Sequence, residues 1–299
     1  RAPAEWEPHD RTLVGWPPES TVGPAVRDKG FDFFTEEQYR ELAALVGSVA
    51  AREPVSVVVG SRDLDQCKGH LADIGGVEYV TLEHVNWWLR DTGPALVLRG
   101  LPGGAGEALG AVRWEFHGYG SPKGSSARRA SEGRKEFYSW YYPQGGARGG
   151  AAVDLELARG VAAVAGAQPL REPEGVAFEG GAVVCDGEGT GVVVEEILPR
   201  TGVGRQQLEA ELQRELGLTR LLWLPRGLTR PEEGGNAHAD MVAAFCGAGR
   251  LLLMTGTGRL QENVEALRGA VDARGRPVQV HPVPCPEVGW AQALSSRLP

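Results

Sequence analysis

The sequence has 299 residues, 42% of them hydrophobic, a length that fits one large α/β domain or two ordinary ones with a sizeable core. With 31 Lys and Arg against 39 Asp and Glu, the net charge is −8 and the pI near 5.4, which argues against a nucleic-acid partner and suits a small cationic one. No apolar run approaches the ~20 residues that span a bilayer, and Cys67, Cys185, Cys246 and Cys285 lie far apart without a CxxC pair, which excludes a membrane span, a disulfide framework and a structural zinc site.

Apolar residues at helical spacing predict a helix over 36–52 (EEQYRELAALVGSVAAR). The short β-branched run VSVVVG at 55–60 predicts a buried strand, and 64–74 a second helix. Strands are predicted at 95–99 and 112–117, then a helix at 153–165. The segment AVVCD-GEGT-GVVVEE at 182–196 predicts a hairpin with glycines in its turn. RQQLEAELQREL at 205–216 is the clearest amphipathic helix, followed by a strand at 221–224. MVAAF-CGAGR-LLLM at 241–254 predicts another hairpin, 262–273 a helix and 278–283 a strand.

This alternation of hairpin, helix and strand recurs loosely at ~60–70 residue intervals, which predicts a repeated ββαβ unit rather than a doubly wound sheet. One such unit cannot bury its helix face alone, but several around an axis can, with strand ends meeting at a central channel. No linker-like stretch divides the chain, so a single domain over 1–299 is expected. The least regular region, 118–150, mixes Gly, Ser and Arg with aromatics and is expected to be a mobile loop over something functional.

Three short motifs can carry chemistry. Trp88-Leu89-Arg90-Asp91-Thr92-Gly93-Pro94 feeds directly into a strand, which places Asp91 at a strand entrance or, alternatively, as the cap of the turn that follows it. Phe178-Glu179-Gly180-Gly181 allows close backbone approach, with Glu179 at the narrow point or simply solvated beside a turn. Asn236-Ala237-His238-Ala239-Asp240 enters a strand, where residues two apart share a face. His238 and Asp240 would then point the same way, as an acid/base with its carboxylate or as two metal ligands. No third or fourth ligand stands at convincing spacing.

Taken in order, these motifs resemble one family. Pro3-Ala4-Glu5-Trp6-Glu7-Pro8-His9 with Gly15-Trp16-Pro17, WLRDTGP at 88–94, EGG at 179–181 with DGEGT at 186–190, WLPRG at 223–227, His238-Ala239-Asp240 and DARGR at 272–276 are similar to the landmarks of agmatine deiminases, relatives of the bacterial-type peptidyl-arginine deiminases. The resemblance covers most of the chain. It implies a pseudo-fivefold α/β propeller of ββαβ modules.

The resemblance also implies a hydrolase that converts agmatine to N-carbamoylputrescine and ammonia, a step in polyamine biosynthesis, with no cofactor. Asp91 and Asp240 would grip the guanidinium nitrogens, which carboxylates match with paired, charge-assisted hydrogen bonds. Glu179 would bind there too or position His238, and Trp88 would stack on the substrate. A thiolate would attack the central carbon, with His238 protonating the departing ammonia and then activating water. Another guanidino substrate, such as peptidyl-arginine, and a non-catalytic guanidino-binding relative are the alternatives.

In the family the nucleophile belongs to a Gly-Gly…His-Cys ending that these residues lack. Cys285, between prolines in VHPVPCPEVG, matches a preceding strand of the family pattern instead. The expectation is therefore that the last module and the nucleophilic Cys are missing from this chain, and that it is inactive as given. Asn86, the run His117-Gly118-Tyr119-Gly120 and Ala237 depart from the family pattern, near where substrate selectivity is expected. The chain begins with Arg rather than Met, so a targeting segment is expected to have been lost; the expected place is cytoplasmic or organellar, not secreted, with a homodimer left open.

Overall fold

The structure, a computed structural model, describes residues 1–18, 34–84, 87–101, 104, 106–116, 146–229, 236–256 and 258–285. Asn86, the run 117–120, most of the predicted loop at 118–150 and the end of the chain lie outside the described residues. The chain falls into two compact units. The first is Arg1–Pro3, Glu7–Gly180 and Leu198–Leu216; the second is Ala4–Trp6, Gly181–Ile197 and Gly217–Pro299.

In the first unit, β1 (Thr12–Gly15), β2 (Val55–Val59) and β3 (Val77–Thr81) form a parallel sheet, with helices α1 (Glu36–Ala50) and α2 (Leu64–His70) as crossovers. Thr35 and Gln38 close a capping box at the start of α1, and Glu36 and Glu37 complement its dipole. All five residues of β2 are buried, as a central parallel strand covered on both faces requires. Val55, Val57 and Val59 pack with Trp16, Tyr39, Val46, Cys67 and Leu71, while Val58 packs on the other side with Leu157 and Val161. Each such side chain contributes about 1.5–3 kcal/mol on burial.

A second sheet pairs β4 (Ala95–Gly100) with β5 (Glu107–Val112) antiparallel, and β5 with β6 (Leu170–Arg171) parallel. A one-turn helix, α3 (Leu89–Thr92), precedes β4, and α4 (Gly146–Val164) links β5 to β6. The last unit-one helices are the short α5 (Leu198–Thr201) and α6 (Arg205–Leu216).

The second unit holds two sheets of one design. β7 (Val183–Cys185) and β8 (Thr190–Val194) form a hairpin, and β9 (Arg220–Leu224) lies parallel to β8. β10 (Ala243–Gly247) and β11 (Arg250–Thr255) form the next hairpin; helix α7 (Gly258–Ala266) follows, and β12 (Gln279–Pro284) lies parallel to β11. The expected α/β unit of hairpin, helix and parallel strand therefore occurs in three of the four described sheets, and the all-parallel first sheet departs from it.

Several expected elements are corrected. The predicted strand at 112–117 begins earlier, as β5, and beyond Val112 the ladder gives way to a single bridge between Glu115 and Ala177. Trp114 and Phe116 are buried there, but the segment they meet is not a regular strand. The helix predicted at 262–273 runs from Gly258 to Ala266, because Asp272 closes a turn of its own. The helix at 64–74 stops at His70. Positions 146–150, assigned to the mobile loop, form the start of α4. Strands β1, β3 and β6 were not foreseen; β3 is only half buried and β6 has two residues.

Two of the landmark sequences adopt the same turn. The Asp186 Oδ1 accepts the amides of Glu188 and Thr190 at 2.8 and 2.9 Å, and the Asp272 Oδ1 accepts those of Arg274 and Arg276, both at 2.9 Å. The Ala273 amide donates to Thr190 Oγ1 at 3.0 Å, so the turns lie side by side. Burial pushes the Asp272 carboxyl up, but these amides and the Arg276 guanidinium outweigh it and hold it below the ordinary value. DGEGT and DARGR are thus accounted for as structural turns.

Candidate active site

Trp88, Asp91 and Glu179 belong to the first unit, and His238 and Asp240 to the second. Within the first, the carbonyl of Trp88 accepts the amides of Asp91 and Thr92 at 3.0 and 3.1 Å and the Thr92 hydroxyl at 3.1 Å. Asp91 therefore sits half-buried inside a helical turn shortly before β4. Trp88 is 39% exposed, its ring 5.5 Å from that of Trp87, an aromatic surface within reach of a ligand.

The Glu179 segment reaches the same neighbourhood. A Cβ on Gly180 would overlap the Arg90 carbonyl oxygen, so only glycine lets this backbone lie against the Asp91 turn. Glu179 itself is 2% exposed, not solvated. Both its oxygens are held by Arg200, one at 2.8 Å from Nη1 and the other in a closer contact with Nη2. Arg200 is buried as well, on the helical turn α5. A planar guanidinium on a carboxylate in a fork-to-fork pair is the interaction the resemblance assigns to a substrate, here made by the protein's own side chain.

In the second unit, the His238 Nδ1 and Asp240 Oδ1 lie 3.7 Å apart. His238 is buried and Asp240 is exposed, which suits a proton-transfer group behind a carboxylate open to a ligand. The two do face each other, but not by strand alternation. Residues 239–242 form a bend and turn ahead of β10, in which Ala239 O accepts the amides of Val242 and Ala243 at 3.0 and 2.8 Å. The Asp240 amide donates to Gly181 O at 3.2 Å. Ala237 has φ 57°, a left-handed conformation that costs a non-glycine residue about 1–2 kcal/mol.

The four cysteines lie in different settings. Cys67 is fully buried, and burial pushes its thiol up to about 12, with the Asp63 charge adding to the effect. Cys185 lies in β7 and Cys246 in β10, where its Sγ contacts Arg250 O at 3.7 Å. Cys285 follows β12, its amide bonded to Thr255 O at 2.7 Å. Among the described residues, no group of three or more His, Cys, Asp or Glu side chains is placed to hold a metal ion, and no helix is long and apolar enough to cross a membrane.

Sequence reasoning missed Arg200, whose one clue was a basic residue straight after an apolar run, and Asn263, which is fully buried beneath the 223–227 segment.

Residues 1–299 match the profile of the Porphyromonas-type peptidyl-arginine deiminase family. A protein of Streptomyces coelicolor, provisionally named agmatine deiminase, is 32% identical over 302 residues, covering 96% of this chain and 77% of its own length. The agmatine deiminase of Ectopseudomonas mendocina is 28% identical over 295 residues, covering 95% and 70%. Among solved structures, the agmatine deiminase of Enterococcus faecalis matches the fold with a TM-score of 0.71 at 21% identity, over 96% of this chain and 71% of that one.

Proposed function

The chain belongs to the Porphyromonas-type peptidyl-arginine deiminase family, and from that premise we propose that it binds a small guanidino cation, agmatine foremost, and carries the carboxylate and acid/base part of a C–N hydrolase site. The observation that supports this most is the pairing of a buried His238 with an exposed Asp240, 3.7 Å apart. Asp240 holds the guanidinium nitrogens beside His238, and for Asp91 the resemblance implies the same role. Trp88 covers the substrate's chain, and Glu179 stands beside the Asp91 turn with its orientation fixed by Arg200. Carboxylates at a planar cation act through directional, charge-assisted bonds, which also fix the carbon to be attacked. The pseudo-fivefold arrangement of ββαβ modules belongs to the same reading.

In the complete reaction a thiolate adds to the guanidinium carbon. The C–N bond to one terminal nitrogen breaks as His238 delivers a proton, and ammonia leaves. His238 then takes a proton from water, whose oxygen displaces the sulfur and leaves a ureido group on N-carbamoylputrescine, an intermediate suited to polyamine synthesis. Cys67 cannot supply that thiolate, with its thiol pushed to about 12. We assign none of the other three cysteines to the nucleophile's role, and these 299 residues to substrate recognition without turnover. Incubating the chain with agmatine and measuring ammonia tests this. No release is expected; stoichiometric and continuing release would refute the assignment of the cysteines.

A non-catalytic guanidino-binding protein is the second reading. Its support is the Cys67 thiol, buried and pushed up to about 12.

A further inference from the structure

Two consecutive residues of the 223–227 segment have their backbone groups held by side chains. Asn263 of α7 is fully buried; it accepts the Arg226 amide at 2.9 Å and donates to the Arg226 carbonyl at 2.8 Å. Glu196 accepts the Gly227 amide at 2.8 Å, and Arg259 donates to the Gly227 carbonyl at 3.2 Å. Arg259 and Asn263 are one helical turn apart, so they face the same way, and Arg259 also pairs with Glu196. Backbone groups away from water need partners, and here side chains provide four that a ladder would ordinarily provide.

What this clamp abuts is the His238 segment. A Cβ on Gly227 would stand 3.2 Å from the Ala237 Cα, so the two backbones lie flush. Ala237 holds its left-handed φ, a conformation that persists where the surroundings enforce it. The next residue is His238, whose amide donates to the Asn236 side chain at 3.2 Å. Resting on the proton-transfer role proposed for His238, we infer that Asn263, Arg259 and Glu196 are positioning residues, which set the His238 ring against Asp240 through the contact of Gly227 with Ala237.

NMR of the histidine rings tests this without substrate. In Gly227→Ala and Asn263→Ala the His238 ring signals are displaced or doubled, while those of His9 and His70 keep their positions. Glu196→Ala does the same, and Glu196→Gln, which retains an acceptor for the Gly227 amide, restores signals close to the unaltered protein. If Asn263→Ala does not fold, Gly227→Ala decides alone. Unchanged His238 signals in folded Gly227→Ala overturn the inference. Displaced signals together with no agmatine binding by the unaltered protein leave the positioning intact and remove the function proposed for it.

Discussion

Both oxygens of the Glu179 carboxylate are occupied by one guanidinium, that of Arg200, 21 residues further along the chain. The two side chains are 1% and 9% exposed, so neither charge has water to fall back on. Gly180 holds the same backbone against the carbonyl of Arg90, next to Asp91. The pair therefore fixes the segment that carries one proposed site carboxylate beside the turn that carries another.

Removing one member of a buried pair leaves the other charge uncompensated, at a cost of about 3–5 kcal/mol. Arg200→Ala is expected to lose stability in that range, read as the shift of the urea unfolding midpoint. Arg200→Lys keeps the charge but not the fork, and should fall between the two. An unchanged midpoint in Arg200→Ala would remove the pair from the account.

Ala237 sits at φ 57°, where glycine carries no steric penalty. Ala237→Gly is expected to raise stability by about 1 kcal/mol in urea unfolding, the relief of strain exceeding the added freedom of the unfolded chain. A loss of stability would show that the surroundings favour the methyl group more than the backbone resents it.

Glu215 governs part of the acid limb. Its side chain is 1% exposed beside Arg171, Arg214 and Arg99. Burial pushes the carboxyl up, but the Arg214 and Arg171 guanidinium groups outweigh it and hold it below its ordinary 4.5. A depressed native value means stability that is fully present above the unfolded-state value and lost as pH falls through the native one. Unfolding midpoints measured downward from pH 7 should therefore fall below about pH 4.5 in the unaltered protein, and more shallowly in Glu215→Gln.

Some of this was open to reading in the sequence. VSVVV announced a strand buried on both faces because every position is β-branched or small, and β2 is that strand. GEGT between two valine runs announced a hairpin. β3 escaped because VEYVT is half exposed and carries no clean alternation. The nearness of His238 and Asp240 followed from their spacing, but through a turn rather than a strand, since the left-handed Ala237 leaves no pattern in composition. Arg200 and Asn263 were out of reach for a deeper reason. Each meets its partner across 21 and 37 residues, and the periodicity of single elements carries no information about such pairs.

Recognition of a guanidinium by Asp240 is tested most directly by calorimetry of agmatine against putrescine, which has the same carbon chain with an amine in place of the guanidinium. The account predicts saturable agmatine binding, putrescine binding weaker by tenfold or more, about 1.4 kcal/mol or greater, and loss of the difference in Asp240→Asn. Equal affinity for the two ligands, or a preference that survives in Asp240→Asn, would contradict it.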